Sequence, residues 1–324
     1  MRDPGRVRSG LGVGVFLIVL CAISSGAAAQ TFTKPLTMVF PFPPGTPTEA
    51  AYRLLNAEAG KMLGQPILVE NRAGANARLG IMAAKNAPPD GHFLAIINDS
   101  ILVTQPLADA GFKIEPGKDY TPLSLQFEFP LGLFGRPGLP HTDMAGLIAY
   151  ARANPGKVNF ANSPTTQFPA ELMRQAADIN VTFIPYKGAE MVNDMMAGRV
   201  DLTITGTAAA VLVKAGKLVA LASTGVRRWD PLPDTPTWKE SGVNVEYYVW
   251  FGLATAPGTP PAIVSALTNA YAAALKSPDV LKAFKGWGYA PAARAHNTKE
   301  FTEMIQAQFG VWEPIIRKAG IKIN

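Results

Sequence analysis

Met38-Val39-Phe40-Pro41-Phe42-Pro43-Pro44-Gly45-Thr46-Pro47-Thr48-Glu49 passes from a short apolar run, through four prolines and a glycine, into a helical pattern. The apolar run is short enough for a buried strand, and the residues after it repeat at helical spacing. Thr46 is placed to cap the helix, Pro47 suits its first position, and Glu49 is spaced to reach back to the cap. Proline fixes φ and lacks an N–H, so the turn is stiff. Gly45 lets a ligand approach the backbone, and Phe42 offers an apolar wall. A helix that opens just beyond a strand presents unpaired N–H groups, with its dipole behind them, to a carboxylate or phosphate. The same residues would also serve as a rigid strand-to-helix turn and nothing more.

Outward from this turn, strands and helices alternate. Strands are expected at Leu36–Phe40, Ile67–Glu70 and Phe93–Ile97, with helices at Thr48–Leu63 and Leu79–Ala87. The first helix shows Ala51, Leu54, Leu55, Ala59 and Met62 along one face. This order predicts a parallel sheet with helices on both faces. A second set starts near Pro130, with strands at Leu131–Phe134, Asn159–Ala161, Thr182–Pro185, Asp201–Ile204 and Leu218–Ser223 and helices between them. The tail holds a strand at Trp250–Thr255 and helices to Leu275, over Pro278–Lys285 and over Thr298–Ala319. The fold class is therefore α/β, with two doubly wound units, which suits a chain of 324 residues.

The amino terminus reads separately. Arg2, Arg6 and Arg8 precede the apolar run Leu11–Ile23, and small residues follow with Ala27 and Ala29 in an A-x-A arrangement. Residues 1–29 are expected to be a secretory leader cleaved near Ala29. A membrane anchor is the alternative, but the run falls short of the roughly 18–20 residues a span requires. Cys21 is the only cysteine and lies inside this leader, so the exported chain would carry no disulfide and no thiolate ligand. It is a poor lipidation site, because Ile18-Val19-Leu20 supplies no small residue before it. The leader's three arginines against Asp3 take +2 of the net +6 with them. The remaining charge is dispersed, without a basic run or interleaved aromatics, so no nucleic acid partner is expected.

Catalytic patterns are missing. His92, His141 and His296 lie far apart without metal-ligand spacing, and no G-x-S-x-G elbow occurs. Neither an enzyme, a metal nor a cofactor is expected.

Several collinear motifs resemble one family. The Pro41–Gly45 turn, Gly64-Gln65-Pro66-Ile67-Leu68-Val69-Glu70-Asn71-Arg72, Ala87-Pro88-Pro89-Asp90-Gly91, Lys118-Asp119-Tyr120-Thr121-Pro122 and Tyr150-Ala151-Arg152-Ala153-Asn154-Pro155-Gly156-Lys157 resemble, in order, the signatures of the Bug family. These are the periplasmic solute receptors of tripartite tricarboxylate transporters. Pro185-Tyr186-Lys187-Gly188, Trp250-Phe251-Gly252-Leu253 and Lys318-Ala319-Gly320-Ile321-Lys322 continue the likeness, which covers essentially residues 31–324.

The resemblance implies a type II periplasmic-binding fold, with one domain formed by 31–127 plus 250–324, another by 128–249, and a two-strand hinge between them. It implies a receptor that closes around a small carboxylate, a di- or tricarboxylate or an aromatic acid. The receptor would act as a monomer and deliver its ligand to membrane permease subunits. A sensor subunit that presents the carboxylate to a membrane kinase is the alternative.

The resemblance places ligand contacts at Phe42, Pro43, Gly45, Thr46 and Thr48 on the opening turn, and at Ser163, Thr165, Thr166, Tyr186 and Thr205 across the cleft. Departures from the family pattern add further candidates. Arg78 stands in a loop that is glycine-rich in the family, and would either pair with a ligand carboxylate or stay solvated on the surface. Asn98, Asp99 and Ser100 replace small residues, and Asp99 would repel an anion or bind an amino or hydroxyl group. Pro164 interrupts a glycine-rich loop in the second domain and cannot donate an N–H. Gly206 or Thr207 stands where the family often has Asp. Phe42 and Trp250 are expected to line the apolar part of the cleft.

Overall fold

The computed structural model describes residue 1 and residues 32–163, 166–186 and 190–321. Apart from residue 1, the expected leader therefore lies outside the described residues.

The first unit begins with β1 (Leu36–Phe40), α1 (Pro47–Leu63), β2 (Ile67–Asn71), α2 (Leu79–Lys85) and β3 (Phe93–Asn98). A π-helical turn, Ser100–Thr104, leads into the short α3 (Gln105–Ala108), and β4 (Thr121–Phe129) follows. The second unit holds β5 (Gly132–Gly135), α4 (Met144–Ala153), β6 (Asn159–Asn162), α5 (Gln167–Ala177), β7 (Thr182–Pro185), α6 (Glu190–Met196), β8 (Leu202–Thr205), α7 (Thr207–Lys214) and β9 (Val219–Ser223). The chain returns through β10 (Val249–Thr255) and ends with α8 (Pro261–Ala274), α9 (Pro278–Trp287), β11 (Ala290–Pro291) and α10 (Thr298–Ala319).

Two sheets result. The first has the order β11-β4-β10-β3-β1-β2 and the second β7-β6-β8-β5-β9. The βαβ segments pair in parallel as expected, β1 with β2 and β3, and β6 with β7 and β8. Neither sheet is purely parallel, however. β10 runs antiparallel between β3 and β4, and β5 runs antiparallel between β8 and β9. The physical reason is the route of the chain. β4 leaves the first sheet in the same direction as β1 and β3, and β10 brings the chain back. The carboxyl ends of β1, β3 and β4 therefore meet the amino end of β10 at one edge. The carboxyl ends of β6 and β8 face that edge from the other sheet, beside the start of β5.

α1 shows how the core is filled. Ala51, Tyr52, Leu55, Ala59 and Leu63 recur along its inner face and are buried, and the Tyr52 hydroxyl donates to the Gly252 carbonyl of β10 at 3.1 Å. Truncating a fully buried leucine such as Leu55 to alanine typically costs about 2–5 kcal/mol. Met62, expected on that face, is 58% exposed. It falls one residue before the buried Leu63, where the helix ends on Gly64 at φ +70°.

Candidate functional site

The strand ends of the two sheets enclose a cavity of about 410 Å³. The opening turn lines it through Phe42, Pro43, Thr46 and Thr48, and the end of β3 adds Asn98. The second unit adds Ser163, Thr166 and Thr205, so eight of the sequence candidates share one cavity. No Lys, Arg, His, Asp or Glu lines it among the described residues.

The opening turn is built nearly as its sequence predicts. The Thr46 hydroxyl accepts from the Glu49 N–H at 3.1 Å, with Thr46 extended and Pro47 at the first helical position. Glu49 reaches back one residue further than a standard capping box and accepts from the Gly45 N–H at 2.7 Å. Its carboxylate also holds Arg53 at 2.5 Å. Burial raises the Glu49 pKa, but Arg53, the Gly45 N–H and Asn71 together bring it below the usual carboxylate value. Glu49 is thus a charged group, only 4% exposed, lying against the first turn of α1. The side chain of Asn71 donates to the Phe42 carbonyl at 3.4 Å. Phe42 then packs edge-on against Phe40 and Phe251.

The opposite wall differs. β8 ends at Thr205 and α7 begins two residues later, capped by Gly206 in an extended conformation with no side-chain cap. Its first turn contains no acidic residue. Thr205, Gly206, Thr207 and Ala208 all line the cavity. The first N–H groups of any helix lack intrahelical partners, and here no carboxylate competes for them. The Thr166 hydroxyl accepts from the Ser163 N–H at 2.9 Å and lies 3.1 Å from the Ser163 hydroxyl.

The floor is aromatic. Phe129, Phe251 and Tyr289 line the cavity, and sequence reasoning placed none of them there. Phe129 stacks on Tyr289 with centroids 4.5 Å apart and on Phe251 at 6.1 Å, with interplanar angles of 21° and 10°. Phe127 lies beneath, parallel to Tyr289 at 5.1 Å. The Tyr289 hydroxyl sits 3.2 Å from the Thr48 hydroxyl. Burial pushes its pKa up to about 12, so it remains a hydrogen-bonding phenol. The turn carrying Tyr289 also touches the second unit. Thr207 donates its hydroxyl to the Trp287 carbonyl at 2.8 Å, and the Trp229 indole donates to the Gly288 carbonyl at 3.3 Å.

Six other expected residues lie outside this cavity's lining. Gly45 is exposed at φ +87° and spends its N–H on Glu49, so it serves the turn and does not line the cavity. Arg78 donates to Gln105 at 2.6 Å and pairs with Asp109 at 2.6 Å while its guanidinium covers Phe112 at 4.1 Å. Neither the ligand-pairing nor the solvated alternative describes it. Asp99 is 3% exposed and accepts from the Tyr247 hydroxyl at 2.5 Å, in the segment that returns to β10. Burial raises its pKa to about 6 against the pull of Tyr247. Ser100 is buried and accepts from Gln105 at 3.1 Å. Tyr186 donates to Asp194 at 2.7 Å, outside the cavity lining. Trp250 points to the other face of β10 and donates to Gln308 at 2.9 Å, because consecutive strand residues face opposite ways. Thr165 lies outside the described residues.

No group of three or more His, Cys, Asp or Glu residues able to hold a metal occurs among the described residues. No described helix is long and apolar enough to cross a membrane.

Comparison with known proteins agrees with this geometry. Residues 51–321 match the model of the tripartite tricarboxylate transporter family receptor. Protein BugT of Bordetella pertussis is 32% identical over 327 residues, which span 96% of this chain and 97% of BugT. A Rhodopseudomonas palustris structure with adipate is 31% identical with a TM-score of 0.79, covering 90% of this chain and 98% of its own. MatC from the same organism, with bound malate, is 28% identical with a TM-score of 0.76, covering 88% and 99%. The family is a class of periplasmic solute-binding proteins and not of enzymes. The chain belongs to the tripartite tricarboxylate transporter family of receptors, whose Bug members share its two mixed α/β sheets.

Proposed function

We propose that this chain is a periplasmic receptor that captures a small carboxylate between residues 31–127 plus 250–324 on one side and residues 128–249 on the other. β4 and β10 are the two strands about which the units hinge, and a membrane permease of the tripartite tricarboxylate type receives the ligand. The ligand-bound relatives support a carboxylate: one holds malate and another adipate. One observation carries the proposal. The first turns of α1 and α7, one from each unit, open onto a single cavity with no charged side chain in its described lining. Such a cavity holds an anion with backbone N–H groups, hydroxyls and helix dipoles. Asn98, Ser163, Thr166 and Thr205 orient it, Thr46 and Thr48 border it, and Phe42 and Pro43 close the apolar side.

Thermal unfolding of residues 30–324 with carboxylates and their neutral amides tests the reading. A ligand at 100 times its Kd stabilises by about 2.7 kcal/mol. Stabilisation by an acid and not by its amide is expected. Equal stabilisation by both, or by neutral solutes alone, would overturn it.

A further inference from the structure

We infer that Trp229, which lies outside the cavity lining, is a positioning residue for ligand capture: its indole holds the Trp287-Gly288-Tyr289 turn against the second unit and so latches the two units around the cleft. This rests on the receptor reading above and adds to it a group that acts on the ligand only through its neighbours.

Three consecutive residues join three walls. The Trp287 carbonyl accepts the Thr207 hydroxyl from the first turn of α7 at 2.8 Å. The Gly288 carbonyl accepts the Trp229 indole N–H at 3.3 Å. The Tyr289 ring stacks on Phe129, and its hydroxyl sits 3.2 Å from that of Thr48 on α1. Thr207, Tyr289 and Thr48 all line the cavity, so the turn ties the start of α7 to the start of α1.

The two sides of this seam belong to different packed bodies. Trp229 is 2% exposed and sits in a core cluster built wholly from the second unit, with Phe134, Met195 and Leu232. Tyr289 belongs to the other cluster, packed on Phe127 and Phe284. A rotation of one unit against the other about β4 and β10 therefore moves Trp229 relative to Gly288. The contact has little slack. A void of only about 20 Å³ remains beside Trp229, Tyr248 and Gly288. Gly288 stands at φ +71°, and a Cβ there would lie 2.3 Å from the Trp229 indole nitrogen and 2.7 Å from the Pro231 ring. Opening the seam leaves the indole N–H and the Gly288 carbonyl to find new partners, and a buried polar group without one is costly. The arrangement in which both hydrogen bonds form is favoured for that reason, and α7 is carried with it through Thr207.

Residues 30–324 contain no cysteine, so spin labels on Ala57→Cys and Val211→Cys report one distance between exposed sites on α1 and α7. Pulsed dipolar measurement without any solute should give a main distance and a minor longer one in the parent chain. Trp229→Phe keeps a ring and deletes the donor, and should lower the ratio of main to longer distance about fivefold. Gly288→Ala drives a Cβ into the seam and should lower it at least as much. Adipate, the acid held by one relative, should leave Trp229→Phe about fivefold faster, with its association rate within about twofold of the parent's. A merely structural contact would lower the unfolding midpoint and move neither the distances nor the off-rate. Should Gly288→Ala fail to fold, Trp229→Phe decides. If the variant distances match the parent's, the inference falls and the receptor reading stands. If they lengthen while adipate leaves as slowly as from the parent, Trp229 does not position the cavity and the inference also falls. If adipate does not bind the parent chain, the distances alone decide the inference, and the comparison of acids with amides decides the receptor reading.

Discussion

α1 and α7 enter the same cavity from opposite units, and their first turns are built in opposite ways. α1 carries every sign of a well-made helix start: a threonine cap, proline at the first position and a returning glutamate. α7 starts on glycine with none of these. The better capped helix has fewer donors left over, because Pro47 lacks an N–H and the Thr46 hydroxyl takes the Glu49 N–H. Stability and binding compete for the same few donors. α1 commits the Glu49 N–H to its cap, whereas no side chain caps the start of α7.

The largest expected effect comes from removing a donor at α7. Thr207→Pro deletes one N–H and one hydroxyl while leaving the helix start tolerable, since proline is accepted at the first helical position and Gly206 is already extended. Carboxylate affinity should fall about 10–100-fold, or roughly 1.4–2.8 kcal/mol, by titration calorimetry. An affinity as good as that of the parent chain would make the two helix starts equivalent and break the comparison.

Glu49→Gln probes the opposite side through stability. Removing the charge that holds the Gly45 N–H and Arg53 should cost about 1–2 kcal/mol at neutral pH by denaturant unfolding. The sign with pH follows from the lowered pKa. The Glu49 contribution is present above the ordinary value of 4.5 and is lost as pH falls through the lower folded value. The gap between parent and variant should therefore close on acidification below about 4.5. A gap that is constant with pH would show that the Glu49 charge does not stabilise α1.

The smallest effect on binding belongs to Thr46→Ala. It removes the α1 cap and should cost about 1 kcal/mol of stability. Ligand affinity should change by less than about threefold, below 1 kcal/mol. A tenfold loss would return the anion site to α1.

Much of the architecture was legible. Proline, glycine and short apolar runs marked the strand and helix boundaries of both units, because these residues have few backbone options. β4 was missed although Leu123, Leu125, Phe127 and Phe129 alternate as a half-buried strand should. Pro122 and the buried Ser124 and Gln126, which bond each other at 2.8 Å, obscured the pattern.

The site was legible only in part. The opening turn and the strand ends could be placed, because ligands of α/β folds gather beyond carboxyl ends. The floor could not, since Phe129, Phe251 and Tyr289 come from distant segments and alternation does not say which face of a sheet a neighbour covers. Trp250 was chosen where Phe251 faces the cavity for the same reason. The partners of Arg78 and Tyr186, Asp109 and Asp194, are fixed by tertiary packing and could not be read from the sequence. The open start of α7 was visible in Thr205-Gly206-Thr207, where a helix begins with no side-chain cap. Its meaning emerged only once the cavity did.

The most direct test of the claim that α7 holds the carboxylate is an amide proton spectrum of residues 30–324 titrated with benzoate. The largest downfield shifts are expected at the Thr207 and Ala208 N–H groups, with smaller changes at Thr46 and Thr48. Larger downfield shifts at Thr46 and Thr48 than at Thr207 and Ala208 would contradict it.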